Sequence, residues 1–145
     1  RSMMNPFKTK KGLGRGLSSL IGDSDSSHIK NKIPILAVCR GFQFIAKFFK
    51  SKVYKVKNHV RSNHLLKIND KNFRFKIKKL KINSYHKYAV SKLPNHFGQI
   101  IRCSDNSIEI AKSNKYKILC FMFHPDRRNV SQKEINKIVF SHFKI

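Results

Sequence analysis

The stretch Ile33-Pro34-Ile35-Leu36-Ala37-Val38-Cys39-Arg40-Gly41-Phe42-Gln43 decides how the chain is read. An apolar run long enough for one buried strand ends at a cysteine, and the glycine two residues on opens a helix over residues 41–50. A cysteine at the tip of a strand-turn-helix is held out at the carboxyl end of a sheet, where a carbonyl carbon can approach it. Such a thiol becomes a nucleophile only if a base takes its proton and a third group orients that base. The segment Leu119-Cys120-Phe121-Met122-Phe123-His124-Pro125-Asp126 supplies both at the end of a second apolar strand. Each residue also has a plainer reading: a packed thiol at Cys39, a loop histidine at His124, and a turn into the last helix at Asp126.

Working outward, residues 53–56 read as a short strand. Residues 64–68 and 73–80 form a hairpin across Asn69-Asp70-Lys71-Asn72. Further strands are expected over 99–103, 107–112 and 117–123, with Asp105-Asn106 making only a turn. Ser131 and Glu134 make a capping box for a final helix whose Ile135, Ile138 and Val139 face the core. Strands and helices mix as an α/β layer requires. His59, His64 and His86 follow no ligand spacing that would favour zinc, so no metal and no cofactor is expected. Cys103 and Cys120 lie in apolar runs and read as core.

A net charge of +25 raises the question of nucleic acid, and Phe73-Arg74-Phe75-Lys76-Ile77-Lys78 alternates an apolar with a basic face. Lysine is spread along the whole chain, however, and a lysine face on a strand is ordinarily solvated and discourages edge association. Nonspecific adhesion to polyanions is expected, and dedicated recognition is not. No apolar run reaches the roughly 18 residues of a membrane span. No hydrophobic leader with a cleavage site precedes the domain, and three cysteines fit a reducing compartment, so a cytoplasmic location is expected.

The two strand-end motifs resemble the class I glutamine amidotransferases, most closely the γ-glutamyl hydrolase-like branch, peptidase family C26. Its Cys-Arg-Gly-x-Gln elbow, Val-Asn-Ser-x-His segment and terminal His-Pro-Glu have counterparts in Cys39-Arg40-Gly41-Phe42-Gln43, Ile82-Asn83-Ser84-Tyr85-His86 and His124-Pro125-Asp126. Asn58-His59-Val60 and Asp105-Asn106-Ser107-Ile108-Glu109 fall in the family's order too, and the likeness runs over residues 32–145. The resemblance implies a flavodoxin-like sheet with flanking helices and a Cys39, His124, Asp126 triad acting on γ-glutamyl amides. The Arg40 amide would serve as oxyanion donor, and Gln43, Asn83, Ser84 and His86 would bind a glutamine-like substrate. Ala37 replaces the elbow's usual glycine, which predicts a strained turn, and Asp126 is one methylene shorter than the usual glutamate. The family's domain begins well before its nucleophile. An incomplete sheet is therefore expected, with weak or absent turnover unless the missing half-domain or a synthetase partner completes it.

Residues 1–31 read as a basic tail and linker. Within them, Lys10-Lys11-Gly12-Leu13-Gly14-Arg15-Gly16-Leu17-Ser18-Ser19-Leu20-Ile21-Gly22-Asp23 resembles the N-terminal tail of ParB chromosome-partitioning proteins. Leu13, Leu17, Leu20 and Ile21 share one stripe of a short helix that would order on a partner. The resemblance implies a ParA-like ATPase as that partner, engaged through Arg15 and Leu17. Ser24-Asp25-Ser26-Ser27-His28 is the polar seam between two unrelated pieces, and a natural fusion, a misassembled gene and an engineered joint all fit. The alternative to a hydrolase is therefore a non-catalytic remnant that works through this tail.

Overall fold

The computed structural model describes residues 33–68 and 77–145. The tail, its Arg15 and Leu17, the seam, and most of the Phe73–Lys78 stretch lie outside the described residues.

Among the described residues, eight strands and two helices follow in order. They are β1 (Ile35–Val38), α1 (Arg40–Phe48), β2 (Val53–Lys55), β3 (Val60–Lys67), β4 (Lys79–Tyr85), β5 (Tyr88–Val90), β6 (Gln99–Arg102), β7 (Ile108–Ser113), β8 (Ile118–Phe121) and α2 (Gln132–Phe143). The main sheet runs β1-β8-β7-β6, with β2-β5 and β3-β4 as separate antiparallel pairs. β1 and β8 are parallel, pairing Val38 with Phe121, so both signature segments leave the sheet at the same end. That placement is the fold's contribution to the site.

Burial explains the strand sequences. β8 is buried at all four positions and so reads as continuous apolar residues instead of alternating ones. Leu119, Phe121 and Phe123 join Leu66, Leu80, Ile82, Ile101, Ile110, Ile135 and Ile138 in one core cluster. Phe121 and Phe123 stack at 4.8 Å between centroids, and each such buried side chain contributes roughly 1.5–3 kcal/mol. The helix α1 turns Phe42, Ile45 and Ala46 inward and packs on β1 and β8. β1 departs from the expected buried strand. Among the described residues it pairs only with β8, and Leu36 is 44% exposed.

The hairpin forms with different limits. β4 continues through Tyr85, so Asn83 and Ser84 sit on a strand, paired with Asn63 and Ser62. A bulge at Arg61, with φ 52°, interrupts the pairing between Val60 and Ser62. The capping box does not close. Ser131 is the N-cap of α2 but makes no side-chain cap bond, because its Oγ accepts from the Lys81 amide at 2.9 Å. The helix is therefore tied to β4 at its first residue.

On α2, burial, with the charge of Lys112 adding, pulls the His142 imidazole down to about 4. The unfolded chain takes up that proton near pH ~6.5, so stability falls as pH drops from ~6.5 toward ~4. His142→Gln is expected to flatten this acid limb, measured by urea denaturation at pH ~7 and ~4.5.

Candidate active site

Cys39 is the N-cap of α1 with φ 50° and ψ −104°, a conformation that costs a non-glycine residue about 1–3 kcal/mol. Two bonds hold it there: its N–H donates to Phe121 O at 2.7 Å, and its carbonyl accepts from the Gln43 amide at 3.2 Å. The strain lies at the cysteine itself and not at Ala37. A Cβ added at Gly41 would meet the Ala37 Cβ at 3.7 Å, an ordinary contact. A side chain at 41 would therefore fit against Ala37, and Ala37 leaves the turn unobstructed. Cys39→Gly is expected to be more stable than Cys39→Ala by about 1 kcal/mol, in the same direction as the ordinary N-cap preference. Chemical denaturation of the two variants reads this directly.

Desolvation pushes the Cys39 thiol up, while the Arg40 backbone N–H, directed at it, and the charge of Arg127 act downward. The amide expected to stabilise an oxyanion thus already faces the sulfur. No acidic residue occupies the first turn of α1 to offset the positive end of the helix.

On the neighbouring strand end, His124-Pro125-Asp126-Arg127 closes a turn through Arg127 N to His124 O at 3.2 Å. This turn brings Asp126 Oδ1 within 3.5 Å of His124 Nδ1, with Asp126 71% exposed. That is an ion-pair separation and longer than a hydrogen bond. Among the described residues, no hydrogen bond links the Cys39 thiol to His124, a spacing that catalytic pairs often tighten only around substrate.

Asn83 determines where this loop sits. Its Nδ2 donates to His124 O at 2.8 Å and Arg128 O at 3.0 Å, and its Oδ1 accepts from His124 N at 2.9 Å. The side chain expected to touch substrate makes these three bonds to the histidine loop. Gln43 Nε2 donates to Tyr88 O at 3.2 Å and lies 3.8 Å from Met122 Sδ, tying the elbow to β5 and the end of β8. Ser84 and His86 are buried and turn away: Ser84 Oγ donates to His59 O at 2.7 Å, and His86 Nδ1 bonds Tyr88 O at 2.9 Å.

Three residues were not singled out from sequence. Tyr85 packs edge-on to His124 at 6.0 Å, and the Arg127 guanidinium stacks 4.6 Å over Tyr85. Glu109, quoted only as part of a strand, is fully buried against His59 and His86. Asp105 does more than make a turn. Although partial burial opposes it, bonds from Ser107 and from His59 Nε2, the last at 2.7 Å, hold its carboxyl below the ordinary value. Cys120 is buried as expected, and Cys103 packs partly buried against the core cluster.

A strained cysteine elbow and a His-Pro-Asp turn thus end adjacent parallel strands of one sheet, and comparison with known proteins gives the family. Residues 23–144 match the class-I glutamine amidotransferase family, and the chain belongs to that family. Over 117 residues it is 32% identical to the γ-glutamyl-CDP-amidate hydrolase of Campylobacter jejuni, covering 80% of this chain and 54% of that protein. It is 33% identical over 96 residues to a glutamine-hydrolysing GMP synthase subunit of Pyrococcus furiosus, covering 65% and 51% respectively. The fold is similar to a putative GMP synthase subunit of Thermoplasma acidophilum, with TM-score 0.66 at 19% identity over 90% of this chain and 60% of that one. A Thermotoga maritima glutamine amidotransferase gives 0.55 at 20% identity over 78% and 48%. The chain spans about half the length of the curated relatives it matches. No helix among the described residues is long and apolar enough to cross a membrane.

Proposed function

We propose that the chain carries the nucleophile and base of a γ-glutamyl amide hydrolase site. The observation that carries this is the Cys39 elbow, strained at φ 50° and ψ −104° with the Arg40 amide on its sulfur. Strain of this kind persists where surrounding structure enforces it, and it presents the thiol clear of the sheet. In the reaction, His124 takes the thiol proton and the thiolate attacks the amide carbonyl. The resulting oxyanion accepts from the Arg40 N–H. His124 then gives its proton to the leaving amine, and a γ-glutamyl thioester remains. Water, deprotonated by His124, attacks the thioester, and the thiol and glutamate are released. Asp126 orients the imidazole, and Gln43 together with the backbone of residues 83–86 lines the glutamyl pocket. This chemistry needs no cofactor.

We further propose that turnover depends on a segment completing the free edge of β1, from a half-domain or a synthetase partner. In support, β1 has one strand partner among the described residues, and the relatives are about twice as long. Ammonia release from glutamine and from γ-glutamyl amides is expected to be slow with the chain alone. Fast turnover that is abolished in Cys39→Ala would refute the need for completion.

A separate proposal concerns the tail, residues 10–23, as a ligand for a ParA-like ATPase. Its support is the leucine stripe and the Arg15 motif. Stimulation of such an ATPase that vanishes in Arg15→Ala would establish it, and no stimulation by the intact chain would refute it.

A further inference from the structure

Behind the elbow, His59 just before β3, His86 just after β4 and Glu109 on β7 converge in the interior, 2%, 2% and 0% exposed. Glu109 Oε1 lies 3.6 Å from His59 Nδ1 and 3.5 Å from His86 Nε2, and one ligand atom from each of the three residues lies within 4.8 Å of the others. Neither separation is a hydrogen bond. His86 Nε2 and both Glu109 carboxylate oxygens are buried without any hydrogen-bond partner.

The outer bonds show what faces the centre. Asp105 can only accept, so His59 Nε2 carries the hydrogen of their 2.7 Å bond, and Nδ1 is the nitrogen left facing Glu109. Tyr88 O likewise accepts from His86 Nδ1 at 2.9 Å, so Nε2 is the nitrogen that faces Glu109. Ser84 Oγ gives its hydrogen to His59 O at 2.7 Å and stands 3.2 Å from His59 Nδ1, adding another oxygen. Nitrogen and oxygen atoms able to ligate a cation thus face one another in a site shielded from water. A buried, unpaired carboxylate is costly unless a cation neutralises it.

We propose that His59, His86 and Glu109 bind a zinc-like divalent cation, with Ser84 Oγ completing the set. Ligand bonds of ~2.0–2.2 Å arranged tetrahedrally place ligand atoms ~3.3–3.6 Å apart, matching the two separations above. A carboxylate holding the far nitrogen of one histidine and a carbonyl holding that of the other is the usual outer support of such a centre. The burial makes the site structural: it fastens the β3-β4 hairpin to the main sheet. Sequence alone conceals it, because the ligands come from three separate segments with no local spacing. The inference does not rest on the catalytic proposal.

The test is to strip the purified full chain with a chelator and return Zn²⁺ or Co²⁺. One equivalent is expected to bind and raise the melting temperature, with Co²⁺ giving the visible bands of a tetrahedral site. Glu109→Gln is expected to weaken binding at least tenfold, while Cys103→Ser leaves it unchanged. Cys103 belongs to a neighbouring set with His59 and His64, so this pair of variants separates the two sets. X-ray absorption on the zinc-loaded wild type decides the matter even if Glu109→Gln fails to fold: a shell of nitrogen and oxygen alone supports the site. Sulfur in the shell, loss of binding in Cys103→Ser, full binding by a folded Glu109→Gln, or no stoichiometric uptake would each overturn it.

Discussion

Replacing Asn83 with alanine is expected to destabilise the chain by about 2–4 kcal/mol and to cripple the thiol site at the same time. The amide is fully buried and makes three hydrogen bonds, two to the His124 backbone and one to Arg128 O. Each bond contributes about 1 kcal/mol net, and truncation also takes from His124 N and Arg128 O the partner that Asn83 gives them, while His124 O keeps the Arg127 N–H. Against a total stability of roughly 5–15 kcal/mol the loss is large. A merely structural residue would lower the melting temperature and leave reactivity of the surviving folded protein intact. Asn83→Ala is expected instead to slow active-site-directed labelling of Cys39 even well below its melting transition, because the loop that aims His124 is released. Asn83→Asp, which keeps the shape but cannot donate to the two carbonyls, should show the same direction of change.

The second large effect concerns His124. Desolvation holds the Cys39 thiol above its ordinary value, so at neutral pH the resting chain has less thiolate than free cysteine. Simple alkylation by iodoacetamide is therefore expected to be slow at neutral pH and to rise with pH beyond the ordinary thiol range. A glutamine-like reagent seated in the pocket should escape that limit, because His124 removes the proton during attack. His124→Ala is expected to reduce labelling by such a reagent about 10²–10⁴-fold. The iodoacetamide profile should change little. A His124→Ala variant that slowed both reagents equally would mean that the histidine acts on the fold and not on the proton.

The elbow and β8 were legible because both are apolar runs that stop at chemistry-bearing residues, and β8's burial on both faces leaves little room for another reading. The α/β class followed from them. β4 was less legible. Asn83 and Ser84 look like turn residues, yet they lie on a strand because the 124–128 loop and His59 satisfy their side chains. β5 was hidden, since its three residues pair with β2, far away in the chain. Ser131 had the spacing of a capping box, but the Lys81 amide takes its hydroxyl. The same non-locality hid Glu109. A glutamate on an alternating strand reads as solvent-facing until two histidines from other elements are brought against it.

The central claim is that Cys39 and His124 form one thiol site able to hold a glutamyl group. Mass-spectrometric labelling of the purified chain with 6-diazo-5-oxo-norleucine tests it most directly. Modification of Cys39 alone is expected, with Cys103 and Cys120 spared, and with suppression by excess glutamine and by His124→Ala. Labelling of no cysteine, or of all three alike, would contradict the claim and leave the motifs as a record of ancestry.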